Sequence, residues 1–127
     1  MPKTRVVFYR EDENDIPVVD WLNKMDRRDK RIRAKCVVWI EELSTKGIKL
    51  DRPLSGYLRD GIHELRIRYQ SVNYRILYFF HKETEAIAVL AHGITKEDNV
   101  PDVEIDIALK RKAKFQKYPE VHTYEKD

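Results

Sequence analysis

Three arginines interrupt a stretch of the chain that otherwise has the composition of β-strands. The stretch, residues 63–80, reads HELRIRYQSVNYRILYFF and contains Arg66, Arg68 and Arg75. A guanidinium group can bind two oxygens of a phosphate at once, and it stabilises the negative charge that develops when a phosphodiester is cleaved. These residues therefore indicate a phosphate-binding surface, although the solvated outer face of a one-sided sheet has the same alternation.

The spacing of the arginines predicts that two of them face each other. If Gln70 and Ser71 form a two-residue hairpin turn, counting back along both strands places Arg66 opposite Arg75. Like charges in that arrangement destabilise a sheet by some tenths of a kcal/mol to about 1 kcal/mol. Glu64 on the same face supplies one counter-charge, so the face keeps an excess of positive charge that stability alone does not explain.

Two more residues capable of chemistry follow in the segment VLAHGITK, residues 89–96. His92 is a candidate for acid or base catalysis near neutral pH, and Glu64 is a second candidate base. Lys96 stands where the chain leaves the last predicted strand, and strand ends and loops commonly carry functional residues. A structural histidine and a solvated lysine are the simpler interpretations, so a functional role depends on their convergence with the arginines.

Motifs for other kinds of chemistry are absent from the sequence. There is no glycine-rich phosphate loop, no spaced set of metal ligands, and no serine or cysteine nucleophile beside a base. The single cysteine, Cys36, lies on the apolar stripe of a predicted helix and is interpreted as a small core residue. We therefore expect neither a cofactor nor a metal.

Composition limits the class of protein. The 127 residues suffice for one domain with its own core, and acidic and basic residues nearly balance at a net charge of +3. Any strong positive field must therefore come from local clustering. The single cysteine and the lack of a long apolar run predict a cytoplasmic protein with no membrane partner.

The elements that position these residues are predicted from apolar periodicity and turn residues. The order is β-α-α-β-β-β-α, with strands at residues 4–9, 62–69, 72–81 and 86–94 and helices that begin near Asp15, Asp26 and Pro101. Residues 49–61 are interpreted as an ordered connection. The predicted fold is α+β, a small antiparallel sheet with two N-terminal helices on one face and a C-terminal helix. Residues 1–118 form the predicted single domain, and residues 119–127 a flexible tail.

Four segments carry a resemblance to a known family. They are PLSGYLRDGIHELRIR at residues 53–68, YRILYFF at 74–80, VLAHGITK at 89–96 and VPDVEIDIALKRKAKF at 100–115. On these segments the chain resembles the RelE/ParE superfamily of bacterial toxins, and within it the phage-derived HigB-like branch. The resemblance implies the toxin of a type II toxin–antitoxin system, a ribosome-dependent endoribonuclease that cleaves mRNA in the ribosomal A site. It also implies three partners, namely the ribosome, mRNA and a helix-turn-helix antitoxin of the HigA-like kind.

The resemblance also assigns roles to individual residues. Arg66 and Arg68 resemble the pair of basic residues on the second strand of the nuclease members. Arg75 resembles the basic residue of the third strand, and Lys96 the one after the fourth. The catalytic candidates are Arg66, Arg68, Arg75, His92 and Lys96, and the RNA-binding candidates are the same three arginines, Lys96 and Arg59.

Two other functions stay open at this point. The ParE branch of the same superfamily poisons DNA gyrase without being a nuclease, and fold alone does not separate the two activities. An inactive binding module that still binds antitoxin or RNA is the third reading. Basic residues at all four motif positions favour RNA cleavage.

Overall fold

The computed structural model describes residues 4–95 and 98–125. Within them the chain forms six strands and four helices, which confirms the α+β class. The strands are β1 (Arg5–Tyr9), β2 (Ser55–Arg59), β3 (Ile62–Tyr69), β4 (Val72–His81), β5 (Thr84–Thr95) and β6 (Thr123–Tyr124). The helices are α1 (Pro17–Arg28), α2 (Lys30–Lys46), α3 (Asp102–Lys117) and α4 (Pro119–His122).

The described strands form one sheet in the order β2-β3-β4-β5-β1-β6. The meander from β2 to β5 is antiparallel, but β1 pairs with β5 in parallel, so the predicted antiparallel sheet is in fact mixed. β1 presents apolar side chains to both faces, with Val6 and Phe8 on one side and Val7 and Tyr9 on the other. A strand of this kind is stable only where both faces are covered, which the position beside β5 provides.

Strand β2 was not predicted from the sequence; it lies inside the predicted connection at residues 49–61. It pairs with β3 through a tight turn at Asp60 and Gly61, whose φ angles are 53° and 88°. An Asp-Gly pair is among the strongest hairpin signals in a sequence, because both turn residues must adopt positive φ. The strand has only five residues, and the proline and glycines near the turn indicated an irregular connection instead.

The central hairpin has the predicted register. Gln70 and Ser71 have φ angles of 48° and 65°, as a primed two-residue turn requires, and Arg66 lies directly opposite Arg75. Alternation then separates the two faces of β3: Leu65 and Ile67 are buried in the cluster beneath α1 and α2, and Arg66 points the other way.

Helices cover both faces of the sheet. α1 and α2 pack on one face, over a core cluster that includes Leu22, Leu43 and Ile76. α3 packs on the opposite face, where Phe115 meets Phe79 in an edge-to-face contact with ring centroids 5.7 Å apart. The arrangement thus differs in detail from the predicted order, with the C-terminal helix on the face that carries the arginines.

The start of the second helix also differs from the prediction. α1 continues through Asp26, because the buried Met25 extends its apolar stripe. α2 begins instead after Asp29, whose carboxylate accepts a hydrogen bond of 2.9 Å from the backbone N–H of Arg31.

The segment after Tyr118, expected to be a flexible tail, is structured as far as residue 125. α4 and β6 follow α3, and β6 pairs with β1 through Phe8 and Tyr124. The buried His122 stacks on Tyr9 at 5.3 Å, and its Nδ1 lies 2.8 Å from the carbonyl oxygen of Arg10. Residues 126 and 127 lie outside the described part.

Candidate nucleic-acid interface

The arginines that the sequence singled out lie together on the α3 side of β3 and β4. We call this the arginine face, defined by Glu64, Arg66, Arg68 and Arg75. Arg75 is buried, Arg66 is half-buried and Arg68 is exposed, so the positive charge becomes more accessible toward the hairpin turn. The structure therefore brings the three predicted arginines and the predicted counter-charge into one place.

The side chain of Arg75 is held inside the sheet by contacts to Glu64 and Asp98. Its Nε lies 2.8 Å from Oε1 of Glu64, and its Nη2 donates a hydrogen bond of 2.7 Å to the carbonyl oxygen of Asp98. The side chains of Arg75 and Glu64 are only 7% and 11% exposed. Gly56 lies across from Glu64, and a Cβ there would come within 3.3 Å of Oε2, so the glycine leaves room for the carboxylate.

The other two arginines have no carboxylate partner among the described residues. Nη1 of Arg68 donates a hydrogen bond of 3.1 Å to the side-chain oxygen of Asn73. Arg66 makes no ion pair within residues 4–95 and 98–125, although it faces the cation of Arg75 across the hairpin. The guanidinium groups of Arg66 and Arg68 are therefore charges of this face that an external anion can neutralise.

A cleft opens where β2 stops covering β3. Just before β2 begins, the carbonyl oxygen of Leu54 accepts a hydrogen bond of 2.8 Å from the N–H of Arg66. Beyond it, α2 lies beside the strand edge, and Nζ of Lys35 donates a hydrogen bond of 2.7 Å to the carbonyl oxygen of Arg68. The cleft has a volume of about 410 Å³. Among the residues that the structure describes, its lining contains four cations and no carboxylate; the cations are Lys35, Arg66, Arg68 and Arg75.

The cleft also has an apolar wall, to which the half-buried Trp39 of α2 contributes. Leu54, Ile67 and Tyr74 complete this wall together with Pro53. Neither Trp39 nor Lys35 was among the predicted site residues, because nothing in the local sequence indicates that α2 meets the edge of β3. The sequence does show that the two residues are four apart, a spacing that places both side chains on one face of a helix.

A bulge in β5 places His92 on the α3 side of the sheet, the side of the arginine face. The register with β4 shifts between Leu77 and Tyr78, so that Leu77 pairs with His92 and Ala91 is the extra residue. His92 is buried, and its Nε2 lies 3.0 Å from Oε1 of Glu104 on α3. Burial, reinforced by the charge of Arg111 and partly offset by Glu104, lowers the pKa of His92 to about 4. The ring is therefore neutral at pH 7 and packed beneath α3.

Arg59 is engaged in a separate set of contacts. Its guanidinium lies 2.8 Å from a carboxylate oxygen of Asp106 on α3 and 3.1 Å from one of Asp60. The hydrogen bond to Asp106, followed by the one to Asp60, raises the pKa of Arg59. The structure thus joins Arg59 to the acidic start of α3 and not to the other arginines. Lys96, the remaining candidate, lies outside the described residues.

The histidine–glycine pair of the VLAHGITK segment has a packing role. A Cβ on Gly93 would lie 2.1 Å from the ring of Trp21, so only glycine lets α1 approach β5 this closely. The indole N–H of Trp21 donates a hydrogen bond of 3.0 Å to the hydroxyl of Thr95. This contact holds the end of β5, from which the chain runs toward Lys96.

Comparison with known families fits this geometry. The pattern of the phage-derived protein Gp49-like family (DUF891) matches residues 20–113, which is most of the chain. The chain belongs to the Gp49-like family. The match runs from α1 into α3 and includes all three arginines of the arginine face. No curated protein sequence matches the chain.

Membership of the Gp49-like family supports the resemblance to RelE-like toxins. The family is a RelE-like, toxin-like one, consistent with a toxin of a toxin–antitoxin system, and such a toxin implies an antitoxin partner. None of the described helices is long and apolar enough to cross a bilayer. Across the same residues, no three or more His, Cys, Asp and Glu side chains are grouped to hold a metal ion.

Proposed function

We propose that this Gp49-like protein is the toxin of a type II toxin–antitoxin system and that it cleaves mRNA on the ribosome. The observation that carries the proposal is the cleft, whose described lining has four cations and no carboxylate; two of these cations, Arg66 and Arg68, have no carboxylate partner among the described residues. A site of this composition suits a phosphodiester, because each phosphate brings the negative charge that the cleft lacks.

The proposed reaction is internal transesterification of RNA. The ribose 2′ oxygen attacks the adjacent phosphorus, a new 2′-O–P bond forms and the bond to the 5′ oxygen breaks. The proton of the 2′-hydroxyl is removed and the leaving 5′ oxygen gains one, which gives a 2′,3′-cyclic phosphate and a free 5′-hydroxyl. Arg66 and Arg68 would bind the phosphoryl oxygens, on which negative charge accumulates in the transition state.

Arg75 has a positioning role in this proposal. Its side chain is almost fully buried between Glu64 and the backbone of Asp98, so it supports the site from beneath. It lies opposite Arg66 and ties the loop after β5 to the sheet. Glu64 orients Arg75, the simpler of the two roles considered for this carboxylate.

The proton transfers are the weak part of the catalytic apparatus. A histidine with a pKa near 4 is poorly matched to acid or base catalysis at neutral pH, and His92 is packed under α3. We therefore assign His92 to the support of α3. A protein with strong phosphate ligands but no matched base among its described residues depends on substrate orientation, which can lower a barrier by several kcal/mol. The ribosome would supply that orientation, so little cleavage of free RNA is expected.

The same surface suits the proposed antitoxin partner. A HigA-like helix-turn-helix antitoxin that places acidic side chains over Arg66 and Arg68 would neutralise the charge that RNA needs. Complementary charge would also speed the capture of the toxin, more strongly at low ionic strength.

Induction of the protein in bacterial cells tests the proposal against its alternatives. We expect growth arrest, new mRNA 5′ ends within codons and no DNA-damage response. Arrest with a damage response and intact mRNA would favour gyrase poisoning, and normal growth would indicate an inactive binding module. The matched variants are Arg66→Gln and Lys82→Gln, because Lys82 is exposed at the opposite end of β4.

A further inference from the structure

The cleft combines two chemical features that a simple anion site does not need. One side is cationic, and the other is the apolar wall with Trp39. An inorganic phosphate would use only the first side. A nucleotide carries both a charged phosphate and a flat apolar base, and the volume of about 410 Å³ is within the range of small-molecule pockets.

Lys35 is fixed at the boundary between the two sides. Its Nζ lies 5.5 Å from the ring centroid of Trp39 and 5.7 Å from that of Tyr69. It also donates one hydrogen bond to the carbonyl oxygen of Arg68, which leaves two of its three N–H groups for other acceptors. A long side chain held by three contacts loses little further entropy when it binds a ligand.

The spacing along β3 adds a second argument. Arg66 and Arg68 are two residues apart on one face of an extended strand, a separation of roughly 6.6 Å. This is of the same order as the distance between neighbouring phosphates of an extended RNA strand. If Arg66 binds one phosphate, Arg68 and Lys35 are placed for the next one.

We propose that the cleft binds the nucleotide next to the cleaved phosphodiester, with its base against Trp39 and its phosphate on Lys35 and Arg68. The inference rests on the proposed function of the same site, because it identifies the ligand as single-stranded RNA. Lys35 and Trp39 become binding residues that position the RNA strand. Stacking of a base on an aromatic ring is sequence-tolerant, so the subsite adds affinity for single strands without selecting one base.

Fluorescence titration with a short RNA tests this without ribosomes or cleavage. The probe is a trinucleotide with 2′-O-methyl groups, which blocks attack by the 2′ oxygen, and its counterpart lacks the central base. We expect saturable quenching of tryptophan fluorescence and about tenfold weaker binding of the abasic counterpart. Equal affinity for the two probes would overturn the proposal.

Two variants test whether Trp39 and Lys35 bind the trinucleotide. Trp39→Phe should lose most of the quenching and Lys35→Met should bind the trinucleotide at least fivefold more weakly, whereas Lys82→Met should bind like the parent. A folding defect would lower the fraction of active protein without changing the ratio of the two affinities, so that ratio is the decisive readout. Parent-like affinities and quenching in both variants would contradict the proposal.

The two proposals fail in distinguishable ways. If the parent cleaves mRNA on ribosomes but shows no preference for the base-containing trinucleotide, the subsite is wrong and the nuclease assignment stands. If the parent binds the trinucleotide with the expected preference but cleaves nothing, the subsite stands and the nuclease assignment is wrong.

Discussion

Glu64 and Arg75 form an ion pair inside the sheet, with Oε1 and Nε 2.8 Å apart and both side chains almost fully buried. This pair explains how the fold tolerates two arginines directly opposite each other on β3 and β4. The carboxylate of Glu64 neutralises the buried member, Arg75, and the half-buried Arg66 keeps its charge for a ligand.

The first prediction concerns the free energy of unfolding. Removing one member of a buried ion pair leaves the other uncompensated and typically costs about 3–5 kcal/mol. We expect losses of this order for Glu64→Met and for Arg75→Met, measured by urea unfolding. The double variant should lose at least about 1 kcal/mol less than the sum of the two. Additive losses would show that the charges do not depend on each other.

The second prediction separates Arg59 from the arginine face. Its guanidinium pairs with Asp106 and Asp60 at the surface, so Arg59→Gln should lower stability slightly at low salt and not at high salt. Inhibition of a cell-free translation reaction should stay at the parent level. If Arg59→Gln weakens inhibition as strongly as Arg66→Gln does, Arg59 belongs to the RNA surface.

The third prediction is a pH dependence caused by His92. Its pKa is about 4 in the folded protein and near 6.5 in the unfolded chain, so the unfolded state binds more protons between these values. The associated stability is present above pH 6.5 and falls as the pH drops toward 4, by on the order of a few kcal/mol. The variant His92→Gln should show a flatter profile of unfolding free energy across this window. Parallel profiles would mean that His92 does not titrate as described.

The pH profile of mRNA cleavage gives an independent check on His92. If His92 only supports α3, the cleavage rate of folded His92→Gln should follow the same pH profile as the parent between pH 6 and 8. Loss of a rate inflection in the variant would instead identify His92 as the acid or base.

The fourth prediction concerns the C-terminal segment. Truncation after Tyr118 removes the strand that covers the edge of β1 and uncovers Tyr9, on which His122 stacks. We expect a loss of about 2 kcal/mol or more, from the lost hydrogen bonds and the exposed aromatic surface. The midpoint of thermal unfolding measures this loss. An unchanged midpoint would support the interpretation of this segment as a flexible tail.

Local sequence signals predicted the parts of the site that depend on local geometry. The turn at Gln70 and Ser71 fixes the register of its hairpin, so the opposition of Arg66 and Arg75 follows from counting residues. The burial of Arg75 was not predictable in this way, because it depends on the helices that cover the sheet. The bulge at Ala91 has no strong sequence signal either, yet it determines which face His92 occupies.

Long-range packing accounts for the rest of the differences. The cleft needs α2 beside the uncovered edge of β3, and Lys35 is 33 residues from Arg68 in the chain. The parallel pairing of β1 with β5 joins residues still farther apart. Strand β2 differs, because the Asp-Gly pair in its hairpin turn is a local signal that was present in the sequence. The neighbouring proline and glycines led instead to its interpretation as an irregular connection.

Primer extension on an mRNA treated with purified protein tests whether the protein cleaves mRNA on the ribosome. The reactions contain the parent, Arg66→Gln or Lys82→Gln, each with and without translating ribosomes. We expect cuts inside the A-site codon with ribosomes only, reduced about 100-fold or more by Arg66→Gln and unchanged by Lys82→Gln. No cuts by the parent with ribosomes present, or equal cutting by Arg66→Gln and the parent, would contradict this expectation.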